Sequence, residues 1–66
     1  MTSVTCGVRE ASEILKVHPK TVEDLIRDGD LSAGKVGRSW VMMTRDVVAY
    51  AEKTIMKQTA DRLRGK

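Results

Sequence analysis

Val17-His18-Pro19-Lys20-Thr21-Val22-Glu23-Asp24-Leu25-Ile26-Arg27-Asp28-Gly29 has the form of a short helix with punctuation at both ends. Pro19 stands where a first helical residue belongs, since its missing N–H has no partner to lose there. Val22, Leu25 and Ile26 follow the i, i+3, i+4 rule and form one apolar stripe. Gly29 suits the left-handed conformation that ends a helix, and Leu31 just beyond it can fold back on the last turn. At roughly 100° per residue, Lys20, Asp24 and Arg27 point most directly away from the stripe, with Thr21, Glu23 and Asp28 beside them. A short helix with one buried face and a polar first turn is what a DNA-reading second helix needs, although many surface helices share that form.

Upstream, Val8, Ala11, Ile14 and Leu15 have helical spacing, and Glu10 and Glu13 lie near the start of that helix, where its dipole favours them. This helix is expected to end near Lys16. Lys16, Val17 and His18 then make a three-residue turn, with Val17 expected to be buried between the two helices. His18 falls at the N-cap of the second helix, where Ser, Thr, Asp or Asn is usual, and either faces a phosphate or sits in solvent. Two helices joined this closely form a helix-turn-helix.

Downstream the period changes. Leu31 to Val36 reads as a loop running into a short strand, Gly37-Arg38-Ser39 as a tight turn, and Trp40-Val41-Met42 as the return strand. A lone two-stranded hairpin is unstable, so Val36, Trp40 and Met42 are expected to pack it against the helices. The tip then projects Lys35, Arg38 and Ser39 as a wing. Trp40 and Tyr50 are the chain's two aromatic side chains. Trp40 can stack on a base or enter the core, and with so few rings burial is expected. Thr44 is expected to N-cap a third helix with Asp46 in its first turn and Val47, Val48, Tyr50, Ala51 and Ile55 on its apolar side. No Gly or Pro interrupts Thr44 to Arg64, so this helix can run past the core. The expected fold is mainly α with a small β-hairpin, a winged helix-turn-helix in the order α-α-β-β-α. Residues 1–52 form the domain, and residues 53–66 form a basic extension, helical or disordered. Residues 1–7 show no period, and Cys6 is expected to be a small packed or frayed-end residue.

The 66 residues suffice for one domain with one small core. An enzyme is not expected at this size. No Ser-His-Asp set, phosphate loop or metal cluster is present, so no catalytic residue, metal or cofactor is assigned. A single cysteine favours a reducing, cytoplasmic setting, and nothing resembles a signal peptide or a membrane span. Residues 1–34 carry four basic and six acidic side chains, net −2, whereas residues 35–66 carry eight basic and three acidic, net +5. A positive pole of this kind suits nucleic acid or an anionic membrane surface. Much of it lies in Lys53, Lys57, Arg62, Arg64 and Lys66, set against Asp61 alone. That tail is a frayed solvated end, a basic arm for DNA, or a partner-binding segment that orders on contact.

The run Arg9-Glu-Ala-Ser-Glu-Ile-Leu-Lys-Val-His-Pro-Lys-Thr-Val-Glu-Asp-Leu-Ile-Arg-Asp-Gly-Asp-Leu31, then Lys35-Val-Gly-Arg-Ser-Trp40, then a capped helix containing Ala49-Tyr50, resembles the excisionase family. These are small winged-helix DNA-binding proteins, similar in architecture to the DNA-binding domains of mercury-resistance-type regulators. The resemblance covers residues 4–52 and is specific as a set rather than part by part. It implies double-stranded DNA as partner, with the second helix in the major groove and the wing in the adjacent minor groove. It implies a recombination directionality factor that bends DNA at an attachment site in the bacterial cytoplasm and helps an integrase, a tyrosine or serine recombinase, excise a phage or mobile element. Carried over by position, the DNA contacts are Lys20, Thr21, Asp24 and Arg27 on the helix and Lys35, Arg38 and Ser39 on the wing. The tail, with Lys53, Lys57, Arg62 and Arg64, would touch integrase or DNA, and copies could associate cooperatively on DNA.

Two departures from the family stand out. The family often has Ser where this chain has His18, and aromatic or basic residues where it has Glu23 and Asp24. These two carboxylates either accept from a cytosine amino group or pair with Lys20 and Arg27 along the helix. Pairing is expected for Glu23, and both options stay open for Asp24. The alternatives to an excisionase are a small transcription regulator of a mobile element and a protein-interaction domain whose basic tail binds an acidic partner.

Overall fold

The second helix is closed at both ends by its own sequence. In a computed structural model, which describes residues 4–65, the elements are β1 (Thr5–Cys6), α1 (Val8–Leu15), α2 (Pro19–Arg27), β2 (Gly34–Val36), β3 (Ser39–Met43) and α3 (Thr44–Arg64). Residues 1–3 and Lys66 of the basic tail lie outside the described residues. At the start of α2, Pro19 is the first helical residue and the Lys20 N–H donates to His18 Nδ1 at 3.1 Å. His18 therefore does the work of the usual Ser or Asp cap, facing the helix rather than serving as an idle surface ring. At the other end Gly29 takes φ +87°, the Asp30 N–H reaches the Leu25 carbonyl at 2.8 Å, and the Gly29 N–H reaches the Ile26 carbonyl at 3.1 Å. This is a Schellman closure, and it returns Leu31 to the core, where it is buried.

Helix α1 begins with the Gly7 N–H held by the Glu10 carboxylate at 2.9 Å. It ends on Lys16, a non-glycine residue at φ 60°, ψ 41°. That left-handed residue makes the sharp bend between α1 and α2, with the Val17 N–H bonded to the Ser12 carbonyl at 3.0 Å. Val17, expected between the helices, stays more than one-third exposed, because the bend carries it to the rim of the helix pair.

The wing is a hairpin joined by the two-residue loop Gly37-Arg38, with Gly37 at φ +64°. Glycine at the first loop position is the demand of a tight hairpin turn whose twist matches the strands. The turn is thus one residue shorter than expected, and Ser39 begins β3. A third strand was not expected: β1 pairs antiparallel with β3, in the order β1-β3-β2. The fold is a winged helix-turn-helix in the order β-α-α-β-β-α.

Cys6, Ala11, Val22, Leu31, Met42 and Val47 form the core, with Val8, Leu15, Leu25, Ile26, Ala33 and Tyr50 packed around it. Two of the three hairpin residues expected there are elsewhere. Met42 is buried, but Val36 is 68% exposed because its pairing with Ser39 puts it on the face opposite Trp40 and Met42. Trp40 is half-buried and outside the core cluster. The six aliphatic and sulfur side chains close the core without it. Cys6 is a buried thiol, as a small packed residue should be.

Thr44 does not cap α3. Strand β3 runs straight into the helix, which leaves Met43 at the N-cap and Thr44 one residue inside. The Thr44 N–H donates instead to the Val4 carbonyl at 2.8 Å, tying the helix start to the N-terminal strand. Its buried Oγ1 has no hydrogen-bond partner among the described residues. Beyond Tyr50 and Ala51, α3 leaves the core and continues as one helix to Arg64, so Ile55, expected on its buried side, is exposed. Val48, also expected there, is exposed because it lies one residue's rotation from the buried Val47.

The two left-handed positions of the helix-turn-helix should respond oppositely to substitution. Lys16→Gly removes the strain of a side chain at positive φ and is expected to stabilise the domain by about 1 kcal/mol, raising Tm by roughly 4–8 °C. Gly29→Ala meets no atom within 4 Å, so its expected loss of about 1–2 kcal/mol is backbone strain alone. Thermal melts of both variants check the signs.

Candidate nucleic-acid interface

Val22 is wholly buried, and this orients the rest of α2. With Val22, Leu25 and Ile26 turned inward, Lys20, Thr21, Glu23 and Arg27 are exposed and Asp24 is half-exposed. The structure brings Lys20, Asp24 and Arg27 together. Arg27 Nη2 donates to Asp24 Oδ1 at 2.8 Å, and Lys20 Nζ lies 3.7 Å from the same oxygen. Arg27 Nε also lies 4.0 Å from Asp28 Oδ1. Pairing was expected of Glu23, but the geometry gives it to Asp24. Spacing does not separate the two carboxylates, since Glu23 and Asp24 each stand three residues from one cation and four from the other; in the folded chain it is Asp24 that engages both. The Lys20 and Arg27 side chains are 68% exposed and Asp24 38%, so each pair contributes only about 0.2–1 kcal/mol to stability. Their larger effect is to hold three charged groups in fixed order on the face that α2 turns to solvent.

On the wing, Lys35, Arg38 and Ser39 are all exposed. Lys35 pairs with Trp40 across the hairpin, and its Nζ sits 5.1 Å from the centre of the indole ring. A cation over an indole at an exposed site gains about 0.5–1 kcal/mol. Trp40 is therefore a support for the Lys35 ammonium more than a core residue. The two-residue loop held the signal for this contact: with Gly37-Arg38 as the turn, 35 must face 40.

The tail residues are more scattered. Lys53 and Lys57 line a shallow cleft with Asp30, Tyr50 and Asp61, so they look toward the loop after α2. Arg64 is paired with Asp61 at 3.2 Å, and Arg62 is exposed. Ile55, Met56 and Leu63 are exposed along the same stretch of helix. No group of three or more His, Cys, Asp or Glu among the described residues could hold a metal ion, and no helix there is long and apolar enough to cross a membrane.

This arrangement agrees with what the chain is similar to. A family model described as a helix-turn-helix domain matches residues 5–54. The chain belongs to the helix-turn-helix domain family. The helix-turn-helix domain so defined starts at β1 and stops at Thr54, ten residues before α3 ends. A helix-turn-helix of this kind is a DNA-binding architecture. Uncharacterized proteins of Mycobacterium bovis and of two Mycobacterium tuberculosis strains are 34% identical to this domain over 56 residues, which is 85% of the chain. The chain spans about half the length of these curated relatives, 49%. No solved structure gives a significant match.

The candidate DNA-facing residues divide by location, and the division is measurable. Lys20→Ala or Thr21→Ala, at the start of α2, is expected to weaken binding to a selected site more than to mixed-sequence DNA, by about 1–3 kcal/mol for each base edge that the side chain no longer reaches. Arg38→Ala, at the wing tip, is expected to weaken both more evenly and to flatten the salt dependence by about one unit. Equal losses on both DNAs for Lys20 and Thr21 would put α2 outside the groove.

Proposed function

We propose that this domain reads double-stranded DNA through α2 and the wing, and that it serves as an excisionase, a recombination directionality factor for a phage or mobile-element integrase. In this reading Lys20, Thr21 and Arg27 meet base edges in the major groove, and Lys35, Arg38 and Ser39 meet the backbone at the neighbouring minor groove. The protein acts in the bacterial cytoplasm without catalysing chemistry itself. The observation that carries the proposal beyond simple occupancy of a site is α3. The helix-turn-helix domain match ends at Thr54, yet the helix runs on to Arg64 with Lys57, Arg62 and Arg64 and with exposed Met56 and Leu63. A simple repressor has only to cover its site. An excisionase also has to hold a neighbour on bent DNA, either integrase or another copy of itself, and a basic helical arm with apolar side chains supplies the means. The division of the chain into a reading domain and a C-terminal arm belongs to this proposal.

The arm can be cut where packing allows it. Thr54 is half-buried, and Ile55 lines an apolar groove with Leu15, Leu25 and Ala51, so the stop belongs after Ile55. That truncation should leave the thermal transition largely intact and lower non-specific affinity and the salt slope somewhat. The decisive comparison is recruitment of integrase to attachment-site DNA by full-length and truncated protein at matched occupancy. Loss of recruitment and of cooperativity supports the excisionase. Unchanged recruitment favours the small transcription regulator and leaves the arm as an electrostatic anchor.

A further inference from the structure

Lys20 and Arg27 are the only cations of α2, and one carboxylate engages both. With Glu23 and Asp24 set against them, α2 has no net charge, and Asp28 and Asp30 follow directly. This is an odd composition for a helix that is to lie between two rows of phosphates. Affinity for arbitrary DNA comes from cations that release counter-ions. A lysine and an arginine that already share a protein carboxylate release fewer. Base reading makes a different demand. The guanidinium has five N–H donors in a rigid fork, and the bond from Nη2 to Asp24 fixes the plane of that fork while leaving donors for the two acceptors of a guanine edge. A phosphate gains from charge, and a guanine gains from geometry. Asp24 reduces the first and supplies the second.

Resting on the DNA-binding reading above, we propose that Asp24 is a positioning residue that sets specificity. It is the resident counter-anion of Lys20 and Arg27, and it withholds α2 from arbitrary phosphate while presenting an aligned Arg27 to a matching base edge. The positive pole in residues 35–66 then does the non-specific anchoring, and α2 does the discriminating.

The test uses the full chain and two duplexes of equal length. One is selected from a random library by the wild-type protein, and the other has mixed sequence. Binding is followed by anisotropy between about 50 and 200 mM salt. Asp24→Asn keeps the size of the side chain and removes its charge. It is expected to raise affinity for the mixed-sequence duplex about three- to tenfold at low salt and to steepen the salt slope by about one unit. The preference for the selected duplex should fall about tenfold. Asp24→Glu is expected to keep the wild-type slope. A role confined to helix stability would shift the melt and leave the slope alone.

Equal changes on both duplexes would reduce Asp24 to an ordinary surface pair and overturn the proposal. A loss on the selected duplex at one base pair, with mixed-sequence affinity unchanged, would overturn it too, because Asp24 would then be reading a base itself. If the wild-type chain enriches no duplex at all, the DNA-reading function fails and this inference with it. Enrichment with an unchanged preference in Asp24→Asn sinks the inference alone.

Discussion

The closure of α2 at Gly29 is the constraint on which the rest of the structure depends. A 66-residue chain has few apolar groups to spare, and six buried apolar or sulfur side chains make up its core cluster. Val22 and Leu31 are two of them, and they lie on either side of the Gly29 reversal. The reversal works because glycine accepts positive φ, which lets Asp30 and Gly29 bond back to the Leu25 and Ile26 carbonyls. Leu31 is thereby held against the same core that Val22 enters from the helix. With both anchored, α2 has no freedom to roll, and its Lys20–Asp24–Arg27 row has to face outward. The left-handed Lys16 at the other end sets the angle at which α1 meets it.

Much of this is legible in the sequence, because local rules and tertiary demands agree there. Pro19, the Val22-Leu25-Ile26 stripe, Gly29 and Leu31 each do in the fold what their residue types favour. Residue type misleads where pairing across the chain decides the outcome. Thr5 and Cys6 become a strand only because β3 offers them a free edge, and two residues carry no periodicity of their own. Size alone points Trp40 to the core, but although it shares a face of β3 with the buried Met42 it sits nearer the wing tip, at the margin, with the Lys35 ammonium over its ring. Thr44 is a good capping residue by type, yet β3 passes into α3 without a gap and takes the cap position for Met43. Glu23 and Asp24 differ by one step of rotation, and only the helix itself could say which one meets both cations.

Charge is distributed to match two different tasks. The first half of the chain is slightly acidic and holds the helix with the ordered charged row, whereas the second half carries the excess positive charge on the wing and α3. In this scheme the wing and arm draw the domain onto DNA of any sequence, and α2 then tests the bases. The α3 arm runs past the helix-turn-helix domain match with basic and apolar side chains exposed together, and under the proposed function this is the surface that holds a partner.

The most direct test of the central claim is methylation protection by the wild-type chain on a duplex selected from a random library. Dimethyl sulfate modifies guanine N7 in the major groove and adenine N3 in the minor groove. Reading by α2 predicts a short run of guanines protected at N7, flanked by adenines protected at N3 where the wing lies. A bound complex in which every guanine N7 stays reactive would contradict it, for α2 would then lie outside the major groove.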